Sequence, residues 1–407
     1  MNPSNPRNPG SWIAFDERYV WHPYTQMQLV PRAIGVVRGE GAYLYLSDGR
    51  KIFDSISSWW VTLHGHAHPK IARAIAEQAA KLEQVIFAGF THEPAARLAQ
   101  KLVEISPEGL DKVFFSDDGS TAVEVAIKMS LQYWMQLGED RTEILALEHA
   151  YHGDTFGAMS VSSRGTFTRP FESLLFKVER LTFPEPPLIS NPAFFSDAEN
   201  KFLETFRSAA MRNTVAAFIY EPLLLGSGGM LVWRPAVLEA ALGIAKDFGI
   251  LTIADEVLTG FGRTGTMFAS DQVAAKPDIM TLSKGITGGF LPMGVTMASS
   301  KIFEAFLSND RARTFFHGHS YTGNPISSAA ALASLEIFEE EPVFERIAAI
   351  ASTHETLAHK LAAKHHLQSR LIGTIAAFEP MESTGYLSNK SLEWSSRALE
   401  MGLLLRP

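Results

Sequence analysis

From about residue 66 onward the chain alternates short apolar runs with stretches of helical period, and that alternation narrows the fold more than any other feature. KIARAIAEQAAKLEQV and EPAARLAQKLVEI repeat apolar residues about every 3.6 positions, as one face of a helix does. Longer helical patterns run from Ser120 to about Gly138, through AVLEAALGIAKDFG, and from Asn324 to about Glu339. Between them stand KVFFS, EILAL, VAAFIYE, ILTIADEV, IMTLS and VTMAS, which are short and nearly all apolar. A strand apolar on both faces must be covered on both. The expected fold is therefore α/β, with a mostly parallel sheet clothed by helices. In such sheets ligands sit beyond the carboxyl ends of the strands, so the residues that close each run are the candidates for chemistry.

At 407 residues, two or three domains are expected. The flanks differ from the centre. Residues 20–62 hold strand-like pieces, GVVRGE and AYLYLSDGRKIFD, joined by turn dipeptides such as Asp48-Gly49, and residues 343–407 read as a helix and then a strand, LIGTIAAFE. The expected division is 1–65 and 336–407 as a smaller α+β domain built from both chain ends, around a large domain at 66–335.

Composition removes several classes of function. The formal charge of −8 offers no basic footprint for nucleic acid or a membrane surface. No apolar run approaches the roughly 18 residues of a spanning helix, and MNPSNPRNPG lacks the core of a signal peptide, so a cytoplasmic protein is expected. Cysteine is absent, which excludes disulfides, thiolate metal sites and cysteine nucleophiles. His64, His66 and His68 alternate in LHGHAHPKI, but Gly65 and Pro69 make this a loop entering a helix and no acidic ligand accompanies them. No metal site is expected.

Three strand ends carry the chemistry. In VFFSDDGSTAVEVAIKM, Gly119 and Ser120 stand where a strand turns into a helix. Their N–H groups and the Ser120 hydroxyl suit a phosphate, while Ser120 as an ordinary helix cap is an equal alternative. In ILTIADEVLTGFGRTG, Asp255 ends an apolar strand, where a carboxylate needs a partner. A protonated pyridine nitrogen would serve, and a capping aspartate is the plainer reading. Gly260, Gly262 and Gly265 spell a dinucleotide fingerprint, yet no helical pattern follows them. In PDIMTLSKGITGGFLPMG, Lys284 follows a strand and precedes Gly285, Gly288 and Gly289. A solvated lysine is the common case, but an amine partly desolvated among small residues is competent to form a Schiff base.

Together these residues resemble the class III, fold-type I aminotransferases that use pyridoxal 5′-phosphate (PLP). The spacing from Asp255 to Lys284 across DEVLTGFGRTG carries the resemblance, which runs from about Trp21 to the chain end. Within the class, WHPYTQM at 21–27, DSISSWW at 54–60, AYHGDTFGAMSV at 150–161 and FFHGHSYTGNP at 315–325 are similar to the family that makes 7,8-diaminononanoate for biotin.

The resemblance implies a homodimer with active sites at the subunit interface, acting on 8-amino-7-oxononanoate with S-adenosylmethionine, or in some members lysine, as amino donor. It implies that Lys284 holds PLP as a Schiff base and moves the proton, and that Asp255 keeps the ring nitrogen protonated. Gly119 and Ser120 would hold the phosphate, with His319 and Ser320 reaching it from the other subunit. Tyr151 would stack on the ring. Tyr24, Trp59 and Gly318 would line the substrate cavity, and Arg406 would grip a carboxylate with its planar fork.

Leu225 departs from the pattern where many members carry glutamine, and Ser320 replaces a threonine of some. The chain stops one residue after Arg406, where members continue with a strand and a helix. Either it is a fragment or the small domain is incomplete, and Arg406 is expected to fray. Two other functions stay open at this level: a class III transaminase of ω-amino acids or polyamines, and a PLP-binding regulator without catalysis. Intact Lys284 and Asp255 weigh against the regulator.

Overall fold

The computed structural model describes residues 11–29, 32–185, 194–380 and 389–406. Contacts divide the chain into two units, one of residues 1–72 and 383–407, the other of residues 73–382.

The larger unit is organised by a seven-stranded sheet. In spatial order its strands are Leu110–Ser116, Gly294–Ser299, Ile279–Leu282, Leu251–Asp255, Val215–Tyr220, Glu143–Leu147 and Glu179–Leu181. The strands Val215–Tyr220, Leu251–Asp255 and Ile279–Leu282 are buried along their whole length, which is why their sequences are unbroken apolar runs. Ile253 pairs with Ile279 and Asp255 with Thr281, in parallel register. One strand departs from expectation: Gly294–Ser299 is antiparallel to both neighbours. Its approach is short, from the Gly288 and Gly289 turns, which leaves no helix to carry the chain back to the other edge.

Helices cover the sheet where the 3.6-residue pattern placed them, at Glu93–Ile105, Gly119–Gln136, Pro235–Asp247 and Pro325–Glu340. The helix Gly119–Gln136 lays Val123, Ala126, Ile127 and Trp134 into the core against Ile144, Ala216, Ile253 and Ile279. The Trp134 indole N–H donates to the Ala216 carbonyl at 2.9 Å, so its one polar group is satisfied in the interior. The helices Phe156–Val161 and Asp197–Ala210 were not anticipated.

The expected boundaries shift at both ends. Residues 336–380, expected in the smaller domain, fall in the larger unit, and residues 66–72, expected in the large domain, fall in the smaller one. The segment LIGTIAAFE is also a hairpin, Leu367–Ile372 with Ile375–Pro380, and not a single strand. Its turn is pinned to the larger unit: Thr374 N–H donates to the Arg263 carbonyl, and a Cβ on Gly373 (φ +52°) would lie 2.4 Å from the Thr264 carbonyl carbon. Only glycine fits there.

The smaller unit holds a four-stranded sheet in the order Val36–Glu40, Tyr43–Leu46, Lys51–Asp54, Leu403–Leu404. The last pairing is parallel and puts Leu403 beside Phe53 and Leu404 beside Asp54. Phe53 N–H also donates to the Gly402 carbonyl at 2.8 Å, and Ser55 Oγ to the Leu404 carbonyl. Arg406 therefore follows a strand tied into a sheet, against the expectation of a frayed end. The sequence MNPSNPRNPG lies outside the described residues. Among those described, no helix is long and apolar enough to cross a membrane.

Candidate active site

Because Gly294–Ser299 is the one reversed strand of the seven, the other six end at the same edge of the sheet. Past that edge lie Gly119 and Ser120, Tyr151 and His152, Glu221, Asp255, and Lys284.

Asp118 caps the helix that starts at Gly119. Its carboxylate accepts from Thr121 N–H at 2.8 Å, and Thr121 Oγ1 accepts from Asp118 N–H at 3.1 Å. The capping alternative for Ser120 is thus overturned, because the cap is two residues earlier and Ser120 stands within the first turn. Ser120 Oγ accepts from Asp154 N–H at 3.1 Å. A Cβ on Gly153 (φ +130°) would meet Ser120 Oγ at 2.1 Å, and one on Gly119 would lie 2.7 Å from Val257 Cγ1 and 3.6 Å from Ser283 Cβ. The helix start is thereby packed against the loop after Asp255 and the residue before Lys284. Such a start presents backbone N–H groups and the positive end of the helix dipole to an anion.

Asp255 is 4 % exposed. Its Oδ2 is 2.6 Å from His152 Nδ1, and its Oδ1 accepts from Val257 N–H at 3.1 Å and Thr281 Oγ1 at 3.3 Å. Among the described residues, none gives the buried His152 Nε2 a hydrogen bond. Glu221, also 4 % exposed, accepts from Tyr151 N–H and Gly226 N–H, each at 2.9 Å. Burial raises the Glu221 carboxyl to about 7, with Asp255 adding to the rise and His152 opposing it. Two carboxylates and an imidazole thus share one buried cluster.

Lys284 has φ +38°, which for a residue with a side chain is strained backbone of the kind found at functional positions. Ser283 Oγ donates to the Met293 carbonyl at 2.7 Å and holds the strand end from the other side. His319 Nε2 lies 3.7 Å from Asp117 Oδ1, and its N–H donates to Thr322 Oγ1. Ser320 and Gly318 are exposed, and the Ser320 carbonyl accepts from Gln84 Nε2 at 2.6 Å.

The remaining candidates lie in the smaller unit and form a cluster of their own. The Tyr24 and Trp59 ring centroids are 5.6 Å apart, and the Arg406 guanidinium sits 3.8 Å from the Trp59 centroid. In the histidine trio, His66 Nε2 is engaged by Asp54 Oδ2 at 2.9 Å, and the His64 and His68 ring centroids lie 6.0 Å apart.

The class-III aminotransferase family profile covers residues 24–407. The chain belongs to the class-III aminotransferases. It is 48% identical over 397 residues to the adenosylmethionine-8-amino-7-oxononanoate aminotransferase of Synechococcus elongatus, spanning 96% of this chain and 91% of that one. The structure of the adenosylmethionine-8-amino-7-oxononanoate aminotransferase from Methanocaldococcus jannaschii superposes with a TM-score of 0.91 at 36% identity, covering 97% of this chain and 91% of that one. An omega-transaminase from Thermomicrobium roseum superposes equally well, at 0.91 over 97% of this chain and 91% of that one, but at 30% identity.

Enzymes of class III depend on PLP, and the residues here fit it. A helix start with a serine hydroxyl suits the phosphate, a buried carboxylate suits a protonated ring nitrogen, and a strand-end lysine suits the aldehyde. Sequence reasoning missed His152 and Glu221. For Glu221 a signal was present, since VAAFIYE ends in a carboxylate just as ILTIAD does. Nothing in the sequence alone joined His152 to Asp255, 103 positions away.

Proposed function

We propose that this class-III aminotransferase moves an amino group from S-adenosylmethionine to 8-amino-7-oxononanoate. The observation that carries the reading is the Tyr24–Trp59–Arg406 cluster. A substrate with a long apolar chain ending in a carboxylate needs an aromatic wall and a planar cation, and these three residues combine them. The names of relatives at 36–48% identity agree.

Bound at the sheet edge, PLP supplies an electron sink next to the carbon that loses its proton. Lys284 Nζ holds the cofactor and carries that proton. Asp255, held by His152, Val257 and Thr281, would supply the carboxylate that pairs with a protonated ring nitrogen. Gly119 and Ser120 anchor the phosphate, Tyr151 covers the ring, and Gly318 borders the substrate. Leu225 is fully buried, so it would offer an apolar side chain where the resemblance implies an amide.

His319 and Ser320 are assigned to the phosphate of a second subunit, in a homodimer. Support comes from apolar side chains exposed around them. Ile86 and Phe90 are each 62% exposed, Phe316 71% and Tyr321 65%. Gln84 and His92 tie this patch together by donating to the Ser320 and Gly323 carbonyls. Exposed apolar surface of this kind supports a face that a second subunit would cover.

The test is a pair of half-reactions. S-adenosylmethionine should convert the PLP form to its amino form, and 8-amino-7-oxononanoate should then regenerate it with release of 7,8-diaminononanoate. A protein that turns over ω-amino acids or polyamines but not 8-amino-7-oxononanoate would refute the substrate, and regeneration only after lysine would refute the donor.

A further inference from the structure

Ser57, Ser58, Trp59 and Trp60 have φ of +50, +46, +78 and +63°. Four consecutive residues with side chains in the left-handed region form one turn of left-handed helix. Trp60 N–H donates to the Ile56 carbonyl at 2.7 Å and Val61 N–H to the Ser57 carbonyl at 3.0 Å. Each such residue is unfavourable for L-amino acids, bulky ones most of all. A turn of this kind persists only if its surroundings over-determine it.

The surroundings converge on Asp54. Its side chain is 1% exposed, and Oδ2 accepts from Ser58 Oγ at 2.7 Å and from His66 Nε2 at 2.9 Å. Burial raises this carboxyl, but the Ser58 and His66 hydrogen bonds outweigh it and hold it below the ordinary range. His66 is itself fixed by paired backbone hydrogen bonds with Gly41, and a Cβ on Gly39 would come 2.8 Å from His66 Cβ. Asp54 ends the strand that pairs with Leu403–Leu404, so one residue touches both the turn that carries Trp59 and the strand that leads to Arg406.

We propose that Asp54 is a positioning residue for substrate recognition: by bracing the left-handed turn at 57–60 through Ser58 and His66, it holds the Trp59 ring where Arg406 stacks on it and so sets the guanidinium for the substrate carboxylate. The proposal rests on the reading of Arg406 as the carboxylate-binding residue. Stacking fixes the plane of the fork, and an arginine oriented before the substrate arrives loses less freedom on binding.

The experiment compares the PLP-loaded protein with its Asp54→Asn and Arg406→Ala variants, using 8-amino-7-oxononanoate and its methyl ester. It also records near-ultraviolet circular dichroism of each, with Trp59→Phe marking the contribution of that indole. Asp54→Asn should raise KM for the acid about tenfold, leave kcat and the ester unchanged, and lose the Trp59 band. Equal effects on acid and ester, or an unchanged KM, would overturn the proposal. If Arg406→Ala treats acid and ester alike, the reading of Arg406 is what fails, and the Trp59 band alone decides whether Asp54 braces the stack. Should Asp54→Asn not fold, His66→Ala removes one arm of the brace and must show the same split between acid and ester, or the proposal falls.

Discussion

His152 Nδ1 lies 2.6 Å from Asp255 Oδ2, and neither side chain is more than 4% exposed. Asp255 can only accept when ionised, so Nδ1 carries the proton. The contact fixes one oxygen of the carboxylate and orients the other. His152→Phe should lower kcat by about tenfold or more, roughly 1.4 kcal/mol in the barrier, with cofactor affinity largely kept through the phosphate. His152→Asn, which retains a donor, should recover part of the loss. Steady-state kinetics with a cofactor titration checks both, and normal turnover by His152→Phe would show the pair to be structural.

Glu221 gives a dependence on pH whose sign is fixed by its burial. Folding raises its carboxyl from 4.5 to about 7, so between those values the folded state holds more protons than the unfolded chain. Stability is then lost as pH rises through this window, by on the order of 3 kcal/mol at most, and the loss is complete above the folded value. Glu221→Gln cannot ionise. It sacrifices one backbone hydrogen bond, so it should be less stable than the parent at pH 5, and the gap should narrow by pH 8. Denaturant titrations at the two pH values measure this, and a gap that widens with pH would refute it.

Assembly makes a separate prediction. Lys284→Ala and Ser320→Trp should each be inactive, the first for want of the amine and the second through bulk at the partner's phosphate. Mixed and allowed to exchange, they form hybrids with one intact site, and activity approaching about a quarter of the parent should appear, as random pairing of symmetric dimers gives. Mixtures that stay inactive despite subunit exchange seen by mass spectrometry would rule out sites shared between subunits.

The strand ends were legible because burial leaves a plain mark: an apolar run that stops at Asp255 or Lys284 places a charge where only a partner makes it tolerable. The phosphate cradle was half legible. The sequence offered Ser120 as cradle or cap, and the decision lay in Asp118, whose bond to Thr121 is a matter of three-dimensional geometry. His152 and the Asp54 brace were not legible, since each acts through a partner distant in sequence or through backbone of the wrong hand. Nothing in SSWW announces four positive φ angles, which local propensity disfavours and tertiary contacts enforce. The reversed strand Gly294–Ser299 looked like its parallel neighbours because both faces are buried in either direction. Arg406 illustrates the opposite error, in which position near a terminus suggested disorder that pairing of Leu403–Leu404 prevents.

The most direct test of the central claim is the identity of the lysine that holds the cofactor. The purified protein, loaded with PLP, is reduced with borohydride, digested and sequenced by mass spectrometry. A phosphopyridoxyl group on Lys284 alone, and none on that position after Lys284→Ala, is the expected result. Label on any other lysine of the unmodified protein, with Lys284 bare, would contradict it.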